Sequence, residues 1–317
     1  MKPLKYLFIS SMLFAATSCG NSWLDLEPST SVDTETSIKI LSDVEFTLNG
    51  IYSTMQSSDA YSGRLVYYGD VTGDDMQAVS STKRVANYYR FNFTKDDNPS
   101  SHWSYLYSII QNCNLILMNI DKLVIDEDDK AYRDDLKGEA LAIRGLALFD
   151  LTRIFGYPYL KDDGASLGVP IIEGLSTIDS KPTRNTVAQC YTKIIDDLTQ
   201  SLSLLGEKFN KGKINKWGAM VLLSRVYLYK GENANALKMA SDAIIGAEKN
   251  KYALWTNEDY PTAWGEDASA SKPGEVLFEI VNLTTDSPGK ESMGYLNSYD
   301  GYDDMCITCS FYQFLKE

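Results

Sequence analysis

Apolar residues recur along this chain at the spacing of one helical face. Ser42 with Glu45 forms a capping-box pattern, and Val44, Leu48, Ile51 and Met55 follow in line. From Gly63 to Ser100 the pattern breaks into loops and short strands, with Tyr67, Tyr68, Tyr88 and Tyr89 set among polar residues. Trp103, Tyr107, Ile110, Asn114 and Leu117 restore a helical stripe. Residues 139–155 are apolar on nearly every side and rich in small side chains, which predicts a helix buried all round with its backbone close to its neighbours. Gly156 and Pro158 end it. Thr186 with Gln189 makes a second capping box ahead of Val187, Tyr191, Ile194, Leu198, Leu202 and Leu205. Two more helices, about 216–230 and 233–246, are separated by Gly231. After Lys251 the texture turns to loops around one alternating strand candidate, Val276–Val281, and the segment 311–317 reads as the start of a helix.

The last helix pair fits a repeat. A tetratricopeptide unit is two antiparallel helices over about 34 residues, with small and large residues at fixed offsets so that neighbours nest. With Trp217 first, Leu223, Ser224, Tyr227, Gly231, Ala236, Ala240 and Ala243 fall on the template's Leu, Gly, Tyr, Gly, Ala, aromatic and Ala sites. Ser224 is a small replacement, and Ala240 departs from the template. The helix at 187 repeats the second half of that spacing through Val187, Tyr191 and Ile194, and its partner is predicted to be the 139–155 helix across an insertion. The fold class expected is mostly α: a tetratricopeptide-like scaffold of helical hairpins, an alpha-alpha superhelix, with a loop-rich, minor-β portion. Its expected divisions are a leader at 1–18, a linker at 19–40, the helical body at 41–250 and the start of a loop-rich part at 251–317.

The leader assignment rests on Lys2 and Lys5, an apolar run from Tyr6 to Thr17, and then Ser18-Cys19. That run is shorter than the roughly 20 residues a membrane span needs. Cysteine after Ala16-Thr17-Ser18 predicts lipoprotein processing, with Cys19 as the lipid-attachment residue carrying palmitate-type chains; an ordinary leader with an incidental Cys is the alternative. Several acyl chains give stable anchoring where one alone is marginal. The 317 residues carry 30 Lys+Arg against 43 Asp+Glu, a formal net charge of −13, and loss of the leader removes two lysines more. Phosphate binding needs a basic face, so no nucleic-acid partner is expected.

A single histidine, His102, supplies neither a His-based metal site nor a nucleophile's base, and no Gly-x-Ser-x-Gly or phosphate-binding Gly-Lys-Ser/Thr loop occurs. Cys306-Ile-Thr-Cys309 has redox-motif spacing without strand–helix context, which leaves incidental thiols or a local disulfide. Acidic pairs such as Asp74-Asp75 do not establish the carboxylate separation glycoside hydrolysis requires. Asp300, Asp303 and Asp304 form a calcium candidate without EF-hand spacing, and no cofactor is expected. The aromatics remain. Tyr and Trp offer rigid faces for sugar C–H surfaces, and nearby polar groups take hydrogen bonds. The ligand-contact candidates are Tyr67, Tyr68, Tyr88, Tyr89, Trp255, Tyr260, Trp264 and Tyr299, with Asp74 and Asp75; loops wrapped over a helical body also use such side chains for packing. Trp103 and Tyr107 are read as core, and Trp217, Tyr227 and Tyr229 as helix-packing residues.

Several segments in order resemble the SusD/RagB family of outer-membrane nutrient-binding lipoproteins. They are Cys19 followed by Trp23-Leu-Asp-Leu-Glu-Pro28, Trp103 to Asn114, Glu139 to Leu160 with Arg144 and Phe155-Gly-x-Pro158, Lys181-Pro-Thr-Arg184-x-Thr186-Val187, Ala219 to Gly231, and Glu275-Val-Leu-Phe-Glu279. The resemblance implies a non-enzymatic protein that is lipid-anchored at the outer membrane and exposed at the surface. It would capture oligosaccharides, or peptides in some branches, and hand them to a SusC-like TonB-dependent transporter. Members of that family run longer, so the chain is expected to stop within the loop-rich part. No family binding residue beyond Cys19 carries over. The alternatives are a helical-repeat adaptor that binds proteins and a glycoside hydrolase, which reducing-end release would reveal.

Overall fold

A computed structural model describes residues 37–73, 75–94, 99–177, 179–263, 274–283 and 285–316. The chain parts into Met1–Lys39 and Ile40–Glu317. The predicted leader, Cys19 and nearly all of the linker lie outside the described residues. Among the described residues no helix is long and apolar enough to cross a membrane.

Helix α1 spans Leu41–Met55 and buries Val44, Leu48, Ile51 and Met55, the predicted stripe. Its start differs from the predicted Ser42–Glu45 box. Extended Ile40 is the N-cap, and the Asp43 carboxylate accepts the Ile40 N–H at 3.0 Å. Glu45 instead accepts the Tyr132 hydroxyl at 2.8 Å. The stretch read as loops and short strands contains one short strand, β1 (Met76–Ala78), and two unexpected helices, α2 (Arg64–Thr72) and the one-turn α3 (Ala86–Tyr89). Two buried positions on α2, Tyr67 and Val71, make too short a stripe to read from sequence.

Five longer helices follow the order predicted: α4 (Ser100–Asn119), α5 (Lys130–Phe155), α6 (Val187–Leu204), α7 (Lys216–Lys230) and α8 (Asn233–Lys249). Every residue from Gly138 to Thr152 of α5 is buried, as its all-round apolar character requires. Its first turns are polar, which is why the helix begins ahead of the predicted Glu139. Consecutive helices pack side by side from α4 to α8, and α1 lies against α4 and α5. Small residues set the spacing between α5 and α6: a methyl on Gly138 would stand 2.9 Å from Leu205, and one on Gly145 3.0 Å from Leu198. The Thr186–Gln189 box forms as read, Thr186 Oγ1 accepting the Gln189 N–H at 3.2 Å and Gln189 Oε1 the Thr186 N–H at 2.9 Å.

The α7–α8 hairpin has the nested geometry of the repeat. Ser224 donates to the Ala236 carbonyl at 2.8 Å, so a small polar residue serves at the template's glycine site. Trp217 lies on Gly246, where a methyl would come within 2.0 Å of the indole. Gly231 closes α7 in the left-handed region at φ 83°, which glycine adopts without strain. The fold is therefore mostly α, a stack of antiparallel helical hairpins of tetratricopeptide type.

One ionic group ties three helices together inside the stack. Arg144 of α5 donates from Nε to Asp197 Oδ2 at 2.8 Å and from Nη2 to Oδ1 at 2.6 Å, both residues being buried. Arg144 Nη1 also donates to Asn114 Oδ1 on α4 at 2.9 Å. Asn114 in turn donates to the carbonyls of Ile172 and Gly174, holding the 156–186 insertion down on the stack.

Beyond α8 come the short α9 (Tyr260–Ala263), α10 (Met293–Asn297), β2 (Met305–Ile307) and α11 (Cys309–Phe314), the last matching the predicted helix start. The strand expected at Val276–Val281 does not form. That segment lies beside the loop before α7, where Glu279 N–H donates to the Lys211 carbonyl and Asn215 donates to the Leu277 carbonyl, and no ladder follows. The described sheet is instead β1 against β2, antiparallel, with Met76 opposite Ile307, Gln77 opposite Cys306 and Ala78 opposite Met305.

Candidate functional site

Pairing of β1 with β2 brings two distant stretches, 64–94 and 293–308, into one lobe. Beneath the strands Tyr67, Val71 and Val85 are buried, with Met76, Ala78, Tyr88 and Met305 packed against them. Arg84 crosses between the stretches. Its Nη1 lies 2.9 Å from Asp304 Oδ2, and its guanidinium stands 3.9 Å from the centre of the Tyr302 ring. Lys83 Nζ donates to the Tyr302 carbonyl, and Tyr302 meets Tyr295 of α10 edge to face with centroids 5.2 Å apart.

Next to this cluster, and sharing Tyr88 with it, aromatic rings form a continuous run. Tyr68 meets Tyr88 at 5.2 Å and His102 at 5.5 Å, Tyr88 meets Phe93 at 6.0 Å, and Phe93 meets Phe91 at 5.9 Å. Phe91 sits in the left-handed region at φ 51°, held by its N–H to the Tyr88 carbonyl. It is 63% exposed. Such strain in a residue with a Cβ persists only where its surroundings hold it. Tyr89 and Tyr299 are also exposed, the latter at 89%.

The residues singled out from sequence divide accordingly. Tyr67 is core, not a surface contact: it is 1% exposed, and burial pushes its hydroxyl up to about 12. Tyr68 and Tyr88 are half-buried members of the ring run, while Tyr89 and Tyr299 face solvent. Asp75 is exposed beside β1, where its carbonyl accepts the Thr308 N–H. Trp255 and Tyr260 form a separate pair with centroids 6.0 Å apart, close to Gly274 and Glu275. Asp74 and Trp264 lie outside the described residues. Phe91, Phe93, Arg84 and Tyr302 went unremarked in the sequence. The alternation Tyr89-Arg-Phe91-Asn-Phe93 was the signal for two of them.

Of the three calcium candidates, Asp304 is paired with Arg84. That carboxylate is buried against Arg84, and among the described residues no three His, Cys, Asp or Glu side chains converge as a metal site would require. Cys306 lies on β2 and Cys309 opens α11, both as free thiols. His102 is buried, its Nδ1 3.0 Å from the Asp59 carbonyl, and burial holds its pKa below the ordinary value. Its Nδ1 donates to that carbonyl, and the ring packs against Tyr68 and Tyr88.

Comparison with known proteins places this geometry. Residues 22–228 match a family model described as "Starch-binding associating with outer membrane". SusD-like protein P2 of Formosa agariphila is 28% identical over 311 residues, which are 95% of this chain and 57% of that protein. The crystal structure of a putative sugar binding protein from Bacteroides vulgatus is 82% identical, with a TM-score of 0.86 over 89% of this chain and 63% of that one. A SusD superfamily protein from the same organism is 36% identical, with a TM-score of 0.80 over 88% and 63% of the two chains. The chain thus spans about three fifths of the length of these relatives. By sequence and by its stack of helical hairpins, the chain belongs to the SusD-like family, whose model is described as starch-binding and associating with the outer membrane.

Proposed function

We propose that the protein captures oligosaccharides at the outer membrane and passes them to a SusC-like TonB-dependent transporter, with lipid on Cys19 holding it there. The observation that carries this reading is the set of exposed rings, Tyr89, Phe91 and Tyr299, on a lobe pinned by a strand pair and the Arg84–Asp304 ion pair. Rings held rigidly lose little conformational freedom on binding and present flat apolar faces that suit sugar C–H surfaces. Similarity to a structure named as a putative sugar binding protein supports the same ligand class.

Affinity electrophoresis of the full chain through gels containing individual polysaccharides tests capture. Retardation by at least one glycan is expected, with Tyr299→Ala and Phe91→Ala each weakening it about tenfold, which is about 1.4 kcal/mol. No new reducing ends should accumulate. Labelled palmitate should attach to the wild type and not to Cys19→Ala, and a TonB-dependent transporter should co-purify. Absence of retardation on every glycan, or steady glycan cleavage, overturns the reading.

A further inference from the structure

Helix α10 forms part of the wall of a cleft of about 340 Å³, at the small end of ligand-sized pockets. Met293 of α10 and Ile280 give it apolar surface, and Ser62, Asn282, Ser287 and Ser292 give it polar surface. The hydrogen bonds already made leave a defined remainder. Ser292 Oγ accepts the Tyr295 N–H at 3.2 Å, and Ser287 Oγ accepts the Gly289 N–H at 3.1 Å. Each of these serines keeps its own O–H to donate, with no protein acceptor for it among the described residues. The Asn282 amide nitrogen spends both its protons, on Ser62 Oγ and on the Ile280 carbonyl, each at 3.2 Å, while its oxygen, which faces the Ser62 hydroxyl at 3.5 Å, keeps a lone pair to accept a further hydrogen bond. Tyr61, also on the wall, commits its proton to Asp150 at 2.8 Å and can only accept.

Among the described residues, no Lys, Arg, Asp, Glu or His lines this cleft. On the other side of the segment 280–281 a second cleft of about 210 Å³ is lined by Lys213 and Asp286. The two surfaces differ in kind: one offers hydroxyl and amide partners beside aliphatic carbon, the other offers charge. A charged ligand would lose its hydration in the first cleft without a counter-charge, whereas a neutral polyol exchanges its water hydrogen bonds for those of serine and asparagine.

We infer that the cleft walled by Ser62, Asn282, Ser287, Ser292 and Met293 is a subsite for neutral sugar units of a glycan whose neighbouring units lie on the exposed rings. This rests on the glycan capture proposed for the lobe, to which α10 is joined through Tyr295 against Tyr302. The subsite selects uncharged sugars over uronic acids.

Asn282 is exposed, so Asn282→Trp can fill the cleft from its rim without disturbing the core. The full-length wild type, Asn282→Trp, Asn282→Ala, Lys213→Ala and Tyr299→Ala are compared by affinity electrophoresis against neutral α-glucan, β-glucan and mannan and against polygalacturonate. Circular dichroism and melting temperature check the fold of each variant. A neutral glycan should bind the wild type, at least tenfold more weakly Asn282→Trp and about fivefold more weakly Asn282→Ala, with Lys213→Ala unchanged. Binding weakened by Tyr299→Ala but untouched in folded Asn282→Trp and Asn282→Ala overturns the subsite and leaves the lobe standing. Binding of polygalacturonate alone also overturns it. A wild type that binds none of the four fails at glycan capture itself, and the subsite falls with it.

Discussion

Removal of Asp197 should be among the most costly single changes to this fold. Its carboxylate takes two charge-assisted hydrogen bonds from Arg144, at 2.8 and 2.6 Å, with neither residue open to solvent. In Asp197→Ala the guanidinium keeps, among the described residues, only Asn114 as a hydrogen-bond partner inside the α4–α5–α6 interface, and a buried charge that loses its partner costs about 3–5 kcal/mol. Arg144→Met is the milder change, because Lys193 stands 3.2 Å from Asp197 and reaches solvent, so the stranded carboxylate retains a counter-charge. The double variant Arg144→Met with Asp197→Leu carries neither member of the pair and should be more stable than Asp197→Ala alone, since replacing a buried pair by apolar groups is often near neutral. Urea titration followed by circular dichroism reads the difference. At about 2–3 kcal/mol per molar, the upper part of the usual range, Asp197→Ala should lower the midpoint by about 1–2.5 M. A midpoint within about 0.3 M of wild type, or strictly additive single and double variants, would refute the reasoning.

Glu139 supplies a pH test. It is buried on α5, accepts the Tyr52 hydroxyl at 2.8 Å, and burial raises its pKa from an ordinary 4.5 to about 7. Between those values the native state holds a proton the unfolded chain has released, so this contribution to stability is full below pH 4.5, falls as pH rises, and is gone above about pH 7. At about 1.4 kcal/mol per pH unit the loss is about 3 kcal/mol, and Glu139→Gln should flatten the dependence of stability between pH 5 and 8. Gly246→Ala should lower the melting temperature sharply, because its methyl would overlap the Trp217 ring; a compensating Trp217→Leu should recover part of the loss. Under native conditions iodoacetamide should label exposed Cys309 and spare Cys113, whose thiol burial pushes up to about 12, as peptide mapping by mass spectrometry would show. Equal labelling of the two would contradict the packing of α4.

Helices were legible where a stripe ran for three turns or more. The Val44 to Met55 stripe, a buried helix through the mostly apolar 139–155 segment and the Thr186–Gln189 cap all form. Local chemistry failed where two local signals competed. At α1, Asp43 serves as the partner of the N-cap because the extended Ile40 places its N–H within reach, and Glu45 is drawn instead to Tyr132 and Lys213 across the fold. The strand expected at Val276–Val281 had the right alternation and no neighbour to pair with, whereas the three residues of β1 and of β2 pair although neither is long enough to show a period. A strand is a relation between two segments, and only one of them is ever in view when a sequence is read locally.

Aromatic chemistry shows the same division. Sequence alone determined that this chain is rich in Tyr, poor in His, acidic and built on helical hairpins, because composition and 3.6-residue periodicity are properties of a single segment. It could not decide that Tyr67 goes inward while its neighbour Tyr68 joins a ring run, that Asp304 answers Arg84 instead of a cation, or that Ser62 meets Asn282 on the wall of one cleft. The last two outcomes depend on pairs of residues 220 positions apart, brought together when β1 found β2 and the loops closed over the helical stack. Contacts of that range are set by the summed packing of the whole molecule.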